Sequence, residues 1–370
     1  MRIAYLGIKG LPSKSGTERV IEAITTRLAG KFDITVYCDA DYTPPETKYE
    51  GVRLIRLPTI KGRHLKPISL GFAGAFHAML FGHYDLIHMN GVENCFTLPL
   101  LKLRYQLVST SHSAPGRIPV FKWSKRERFL MQMAEYPFLY LSNCPTAVSI
   151  MDTEYFFNRY RKKVAYIPNG VDCNIKSDQE AAKQFIEELG LSPKGFLLFI
   201  AGRIVALKGC HLLLEAIKQM IDIPVVVIGD MEQDHLYSKK LRELAKNCRV
   251  FFIPPITDRA LLFGILNLCK LFVFPSTAEG MSMILLEAAS LGTPMICSDI
   301  PENKVVLGNL VTYFLSGDQN DLAEKINWAI KNPNEPENLA QELKVFIKEN
   351  YSWDSIASKY ENLYQKVIHD

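Results

Sequence analysis

Glu279 and Glu287 are separated by seven residues in the run Pro275-Ser276-Thr277-Ala278-Glu279-Gly280-Met281-Ser282-Met283-Ile284-Leu285-Leu286-Glu287. The apolar run Lys270-Leu271-Phe272-Val273-Phe274 before them reads as a buried strand. Gly280 then opens a helix over 282–290, with Ser282 at the N-cap. One carboxylate therefore stands at the mouth of a helix and the other on its body, with roughly 7–8 Å of axial rise between Ser282 and Glu287. A helix N-terminus attracts phosphate through its free N–H groups and its dipole, whereas carboxylates repel it. The pair is therefore expected to flank a diphosphate and to hold hydroxyl-bearing rings on either side, a sugar at one end and a ribose at the other. Two glutamates on the exposed first turns of a helix would read the same way by spacing alone.

Two cations share this expected neighbourhood. After the strand over 196–201 comes Gly202-Arg203-Ile204-Val205-Ala206-Leu207-Lys208-Gly209-Cys210. Arg203 leaves the strand end and Lys208 precedes the next helix. Such a pair can neutralise a departing diphosphate without a metal, and an exposed cation there is expected to add little stability. His112 follows a strand over 106–110 and is placed to orient a substrate or handle a proton. His88 and His211 read as structural. Asp39-Ala40-Asp41 is a D-x-D triplet but reads as a loop, so no metal ligands and no metal requirement are expected. The glycine-containing loop from Gly7 to Gly16 opens a helix and can aim amides at an anion, although it is neither G-x-G-x-x-G nor a P-loop.

The elements that must position these groups alternate strand and helix along almost the whole chain. Alternation at this density implies parallel sheets covered on both faces. The expected fold class is α/β with two doubly wound Rossmann-like domains facing across a cleft, since such sheets bind ligands at the carboxyl ends of their strands. At 370 residues the chain is long for one core. The turn Pro168-Asn169-Gly170-Val171-Asp172 punctuates it. The expected divisions are a first domain over 1–172, a second domain over 173–350, and a final helix over 351–370 that packs back on the first domain. A single long helix is expected over 123–141.

Composition narrows the class. Eight scattered cysteines without a C-x-x-C pair fit reduced thiols and a cytoplasmic setting. The chain enters a strand at Arg2, from which no signal peptide is expected. The apolar stretch over 65–81 is too short and too interrupted to span a bilayer. Residues 1–170 hold 23 Lys and Arg against 13 Asp and Glu, while the remainder holds 20 against 26. In the first half Arg53, Arg56, Lys61, Arg63, Lys66, Arg117, Lys122, Lys125, Arg126 and Arg128 interleave with Leu65, Phe72, Phe76, Phe121, Trp123 and Phe129. That pattern fits a surface that docks on an anionic membrane or meets an anionic lipid-linked substrate, and equally an ordinary solvated face. The modest excess, without a recognition motif, argues against nucleic acid.

Taken together, Gly202-Arg203 with Lys208-Gly209, the Phe274-Pro275-Ser276 strand end, and Glu279 with Glu287 as an E-x7-E pair resemble a retaining glycosyltransferase of family 4, with the GT-B fold. Pro168-Asn169-Gly170-Val171-Asp172 is similar to the family's link between domains. The opening Arg2 to Pro12 with Gly16-Thr17-Glu18 resembles bacterial enzymes of surface-polysaccharide synthesis, rhamnosyltransferases among them. The resemblance implies that Arg203 and Lys208 hold the donor diphosphate and that Glu287 binds the ribose hydroxyls. It places Glu279 beside the donor sugar, with the backbone of Gly280, Met281 and Ser282 touching sugar and phosphate. It puts Gly16 among the donor contacts and His112 at the sugar's reacting face. It further implies a hexosyl- or deoxyhexosyltransferase that moves a sugar, with retention, from a nucleotide-diphosphate sugar to a saccharide or lipid-linked saccharide acceptor. Such an enzyme would work in the cytoplasm, peripherally on the inner face of the membrane. Alternatives on the same fold are a nucleotide-sugar epimerase and a catalytically silent nucleotide-sugar-binding protein. The chain departs from the family pattern at Ser15-Gly16, where Gly-Gly is common, and at Pro254-Pro255, where a glycine is common near the base.

Overall fold

A computed structural model describes residues 1–14, 16–62, 65–117, 125–172, 174–219 and 223–369. Ser15, Arg63, Phe121, Lys122, Trp123 and Cys173 lie outside the described residues, as do the side chains of Leu65, Lys125 and Arg128. The chain divides into two compact units, one formed by Met1–Gly170 with Trp353–Asp370 and the other by Val171–Ser352.

In the first unit the described strands are β1 (Arg2–Leu6), β2 (Asp33–Asp39), β3 (Lys48–Tyr49), β4 (Val52–Leu57), β5 (Leu86–Asn90), β6 (Gln106–Ser111), β7 (Cys144–Ala147) and β8 (Ala165–Tyr166). They form one sheet in the order β3-β4-β2-β1-β5-β6-β7-β8. All neighbours are parallel except the edge hairpin of β3 with β4. The order reverses between β1 and β5, which pair directly with Tyr5 opposite His88. At that reversal Gly7 takes φ 86° and passes so close to β5 that a Cβ would stand 2.1 Å from the Asn90 carbonyl oxygen. Only glycine meets both demands.

The final helix, Trp353–His369, belongs to this unit. Its Tyr364 hydroxyl meets the Tyr5 hydroxyl at 2.6 Å and His88 Nδ1 at 2.6 Å. His88 Nε2 continues to the Thr110 hydroxyl at 2.7 Å, which meets the Thr146 hydroxyl at 2.7 Å. This chain of buried polar groups crosses β1, β5, β6 and β7, and its members satisfy one another as burial requires. His88 is therefore a packing residue.

One expectation fails here. The helix over 123–141 is two helices, Lys125–Met133 and Glu135–Leu141. Pro137 has no N–H to donate to the carbonyl of Met133, and its ring would crowd that carbonyl in a continuous helix. The chain breaks at Ala134 and restarts with Pro137 in the first turn, where a missing N–H costs nothing.

In the second unit the described strands are β9 (Leu197–Arg203), β10 (Val225–Asp230), β11 (Val250–Ile253), β12 (Leu271–Phe274), β13 (Met295–Ser298) and β14 (Thr312–Phe314). They form an all-parallel sheet in the order β11-β10-β9-β12-β13-β14. Alternate residues feed two cores. Leu198, Ile200, Phe272 and Phe274 pack with the helices Arg259–Leu268 and Met283–Leu291. Leu197, Phe199, Leu271 and Val273 pack with the helices Cys210–Ile217 and His235–Leu244. Both faces are covered, so these strands read as continuous apolar runs. The helix after β9 and the helix after β12 thus leave opposite faces of adjacent strands, which makes a crevice at their carboxyl ends.

Candidate functional site

β9 and β12 lie side by side, with Leu271 opposite Leu197 and Phe272 opposite Leu198. In the sequence the two are separated by β10 and β11, yet in the sheet they are neighbours. A parallel sheet grows outward from its first strand, and the chain returned to β9 to add β12 on the other side.

The loops above these strand ends are locked together. β9 ends at Gly202 and Arg203, both exposed. A short 3-10 turn follows at Ala206–Lys208, closed by the Gly209 N–H donating to the Ala206 carbonyl at 3.0 Å. The Thr277 N–H donates to the Leu207 carbonyl at 2.8 Å. Gly209 takes φ 71°, and a Cβ there would stand 2.0 Å from the Pro275 carbonyl oxygen. Glycine is thus required where the two loops meet.

This clamp brings Lys208 to Glu279. Lys208 Nζ donates to Glu279 Oε1 at 2.6 Å, with side-chain exposures of 28 % and 8 %. The bond joins the loop after β9 to the loop after β12 across the reversal. Ser282 occupies the N-cap of the helix Met283–Leu291 with extended backbone angles, but its hydroxyl makes no capping bond. The cap was expected by residue type; the structure supplies its position only. Glu287 sits on the buried body of that helix, and its Oε1 contacts Nη2 of Arg259. Gly280, Met281 and Ser282 line the half-buried entry to the helix.

Arg259 was not anticipated. It is the first residue of the helix after β11, and Asp258 caps that helix by accepting from the amides of Ala260 and Leu261. An Asp-Arg pair after Pro254-Pro255 marks a helix start, but nothing in the sequence links position 259 to position 287.

Gly16 and His112 lie in the other unit. Gly16 begins the helix Gly16–Leu28. His112 follows β6, and its Nε2 stands 3.3 Å from Asn90 Oδ1. Asn90 uses its amide N–H to bond the Leu6 carbonyl at 3.2 Å. Its Oδ1 is therefore the acceptor, so His112 carries its proton on Nε2 and a lone pair on Nδ1. The residue is only half-buried at its surface, but burial of the ring pushes its pKa down to about 4. His112 is neutral near pH 7.

Burial likewise lowers His88 to about 3, with the neighbouring His112 adding to the effect. Between these values and the ordinary 6.5, the unfolded chain binds more protons than the folded one. The stabilisation is complete above about pH 6.5 and is lost as pH falls toward about 4 and then about 3. Melting temperature is expected to fall from pH 7.5 to pH 5, and to fall less steeply in His112→Asn. Equal slopes in the two proteins would exclude His112 as a contributor.

Several other expected groups are spent internally. Lys66 pairs with Asp39 at 2.7 Å and with Asp41 at 3.3 Å, which ties up the D-x-D triplet. Arg56 donates to the carbonyls of Thr43 and Ala40. Arg117 pairs with buried Asp152 at 2.6 Å. Among the described residues no group of three or more His, Cys, Asp and Glu is arranged to hold a metal ion. The described cysteines form no disulfide, and no described helix is long and apolar enough to cross a membrane.

A doubly wound sheet with charged groups gathered at its reversal defines a class of α/β protein that binds ligands at the carboxyl ends of its strands. Within that class, residues 14–175 match the family model described as Glycosyltransferase Family 4, and residues 182–346 match the one described as Glycosyl transferases group 1. The chain belongs to the family 4 glycosyltransferases. It is 23% identical over 375 residues to the O-antigen biosynthesis glycosyltransferase WclY of Escherichia coli, covering 100% of this chain and 99% of that one. It is 26% identical over 360 residues to an Escherichia coli UDP-Gal:alpha-D-GlcNAc-diphosphoundecaprenol alpha-1,3-galactosyltransferase, covering 90% and 87%. Its fold is similar to that of sucrose-phosphate synthase from Thermosynechococcus elongatus, with TM-score 0.84, 19% identity and coverage of 100% and 99%. It is also similar to Anabaena HepE in complex with UDP and glucose, with TM-score 0.80, 19% identity and coverage of 99% and 100%. The GT-B fold follows from these likenesses.

Proposed function

We propose that the protein transfers a hexosyl or deoxyhexosyl group, with retention, from a nucleotide-diphosphate sugar to a lipid-linked saccharide during assembly of a bacterial surface polysaccharide. The observation that carries this reading is the Lys208–Glu279 bond across the strand-order reversal, with Arg203 at the end of the same strand. It sets a cation and a carboxylate at the mouth of the helix Met283–Leu291, where an anion is favoured. Lys208 and Arg203 stabilise the departing diphosphate, Glu287 anchors the ribose, and Glu279 contacts the donor sugar through its hydroxyls. The backbone of Gly280, Met281 and Ser282 completes the donor contacts of this unit, and the roles of Gly16 as a donor contact and of His112 at the sugar rest on the resemblance to the family alone. The bond from the anomeric carbon to the diphosphate oxygen breaks. The acceptor hydroxyl attacks from the same face, and its proton passes to the leaving diphosphate. Positioning and charge stabilisation carry such a reaction. Two side-chain cations supply the neutralisation, so no metal is required.

The acceptor half of the reading draws support from two relatives whose names specify O-antigen synthesis and a diphosphoundecaprenol-linked saccharide. It also draws support from the helix Leu65–Phe81, where Ile68, Phe72, Phe76 and Leu80 recur every fourth residue and are all exposed. Such a stripe fits peripheral attachment to the inner face of the cytoplasmic membrane. The curated relatives named above are transferases, which disfavours the epimerase alternative.

A thermal-shift panel of ADP, GDP, UDP, dTDP and their sugars tests the donor half. One base series should stabilise the protein, by about 2.7 kcal/mol at 100 times Kd. No shift with any member would remove the donor reading. Sedimentation with anionic vesicles tests the membrane element, which predicts binding that Phe72→Ser with Phe76→Ser weakens.

A further inference from the structure

We propose that Arg259 is a positioning residue that sets the selectivity of the site for a ribose over a deoxyribose, by holding the carboxylate of Glu287. The inference rests on the ribose-anchor reading of Glu287 and extends it.

A glutamate on a helix body has three rotatable side-chain bonds, so presenting a carboxylate to a vicinal diol requires that its direction be fixed from outside. Arg259 does this. Its Nη2 meets Glu287 Oε1 from the start of the neighbouring helix. The guanidinium is itself held, with its central carbon 4.4 Å from the centroid of the Phe263 ring. Phe263 is four residues on along the same helix, so it stands directly beneath Arg259. Asp258 anchors the start of that helix through the amides of Ala260 and Leu261 at 2.9 and 3.1 Å. Phe263 packs in the core that also holds Leu285, Leu286 and Ala288 of the glutamate helix. The direction of the Glu287 carboxylate is therefore referred to the rigid core through a planar, stacked guanidinium.

The chemistry of the pair gives it consequences for ligand choice. A guanidinium offers only donors, so it can fix the direction of the carboxylate through one oxygen while the remaining lone pairs stay able to accept from hydroxyls. Ribose presents its 2′- and 3′-hydroxyls as a rigid pair. A site built to accept both discriminates strongly against an analogue that lacks them. Discrimination of this kind depends on geometry and is lost when the carboxylate swings. Arg259 acts through Glu287, so with Glu287 as the ribose anchor its effect falls on donor binding rather than on the chemical step.

The test compares the wild type with Arg259→Met and Arg259→Lys. The methionine keeps an apolar stem over Phe263, and a melting curve establishes that each variant is folded before binding is measured. The probes are ADP, GDP and UDP and the 2′,3′-dideoxy form of each, with Kd measured by calorimetry for the base that binds the wild type most tightly. The wild type is expected to favour the ribose form by at least tenfold. Arg259→Met is expected to reduce that ratio to less than threefold and to raise KM for the donor sugar with kcat changed by less than threefold. Arg259→Lys should fall between. A folded Arg259→Met protein that keeps the wild-type ratio would overturn the inference and leave the ribose reading of Glu287 intact. Equal affinity of the wild type for both forms would overturn that reading and the inference with it.

Discussion

Lys208→Ala is expected to lower kcat/KM by about 10²–10³-fold, the cost of removing one preorganised group that stabilises developing charge. It is also expected to lower the melting temperature. From the sequence, Lys208 is an exposed loop cation whose loss costs little stability. The structure changes that expectation, because its Nζ bonds Glu279, which is 8 % exposed. A surface pair contributes about 0.2–1 kcal/mol, and breaking a buried one costs about 3–5 kcal/mol. The half-exposed lysine places this pair between the two. Lys208→Arg should recover stability more fully than activity, since a guanidinium can reach Glu279 but presents a different charge centre to the diphosphate. Steady-state kinetics and a melting curve on the same preparations check both parts. Full activity in a stable Lys208→Ala protein would remove Lys208 from the diphosphate site.

Glu287→Ala is expected to weaken binding of the nucleoside diphosphate by about one to two powers of ten, because hydrogen bonds to a charged group contribute about 1.5–3 kcal/mol. The fall in kcat should be smaller, since the ribose is remote from the bond that breaks and its anchor serves ground state and transition state alike. Glu287→Gln keeps the shape and one acceptor oxygen and should lose less affinity. It also removes the charge that faces Arg259, so its melting temperature should drop as well. Calorimetry of the diphosphate with the three proteins decides the point. An unchanged Kd in Glu287→Ala would exclude it as the ribose anchor.

These two residues also show what was legible. Glu279, Glu287, Arg203 and Lys208 could be picked out because each stands a few positions from a short apolar run, and strand-loop-helix order tells which end of the strand it occupies. That is local information. The break at Ala134 was also written locally, in Pro137, but the apolar pattern through 123–141 runs across it and masked it. The partners were another matter. Glu287 meets Arg259, Asp39 meets Lys66, His112 meets Asn90, and Arg117 meets Asp152. Each pair is separated by at least twenty residues and by one or more elements. The basic character of residues 1–170 was visible as a count, whereas Arg56, Lys66 and Arg117, among others, proved to be committed to internal partners.

By itself, the sequence determined the two parallel-sheet units, the strand ends that carry charge, and the family, because these depend on the period of apolar residues and on short runs around a strand end. Only the tertiary structure decided that β12 returns to lie beside β9, so that Lys208 meets Glu279. Strand order in a parallel sheet is set by how helices pack on the two faces, and that packing is a property of the whole core rather than of any segment. The same packing brought Arg259 to Glu287. A long-range charge pair leaves no mark on the residues between its members, and it exists only once the helices that carry them are side by side.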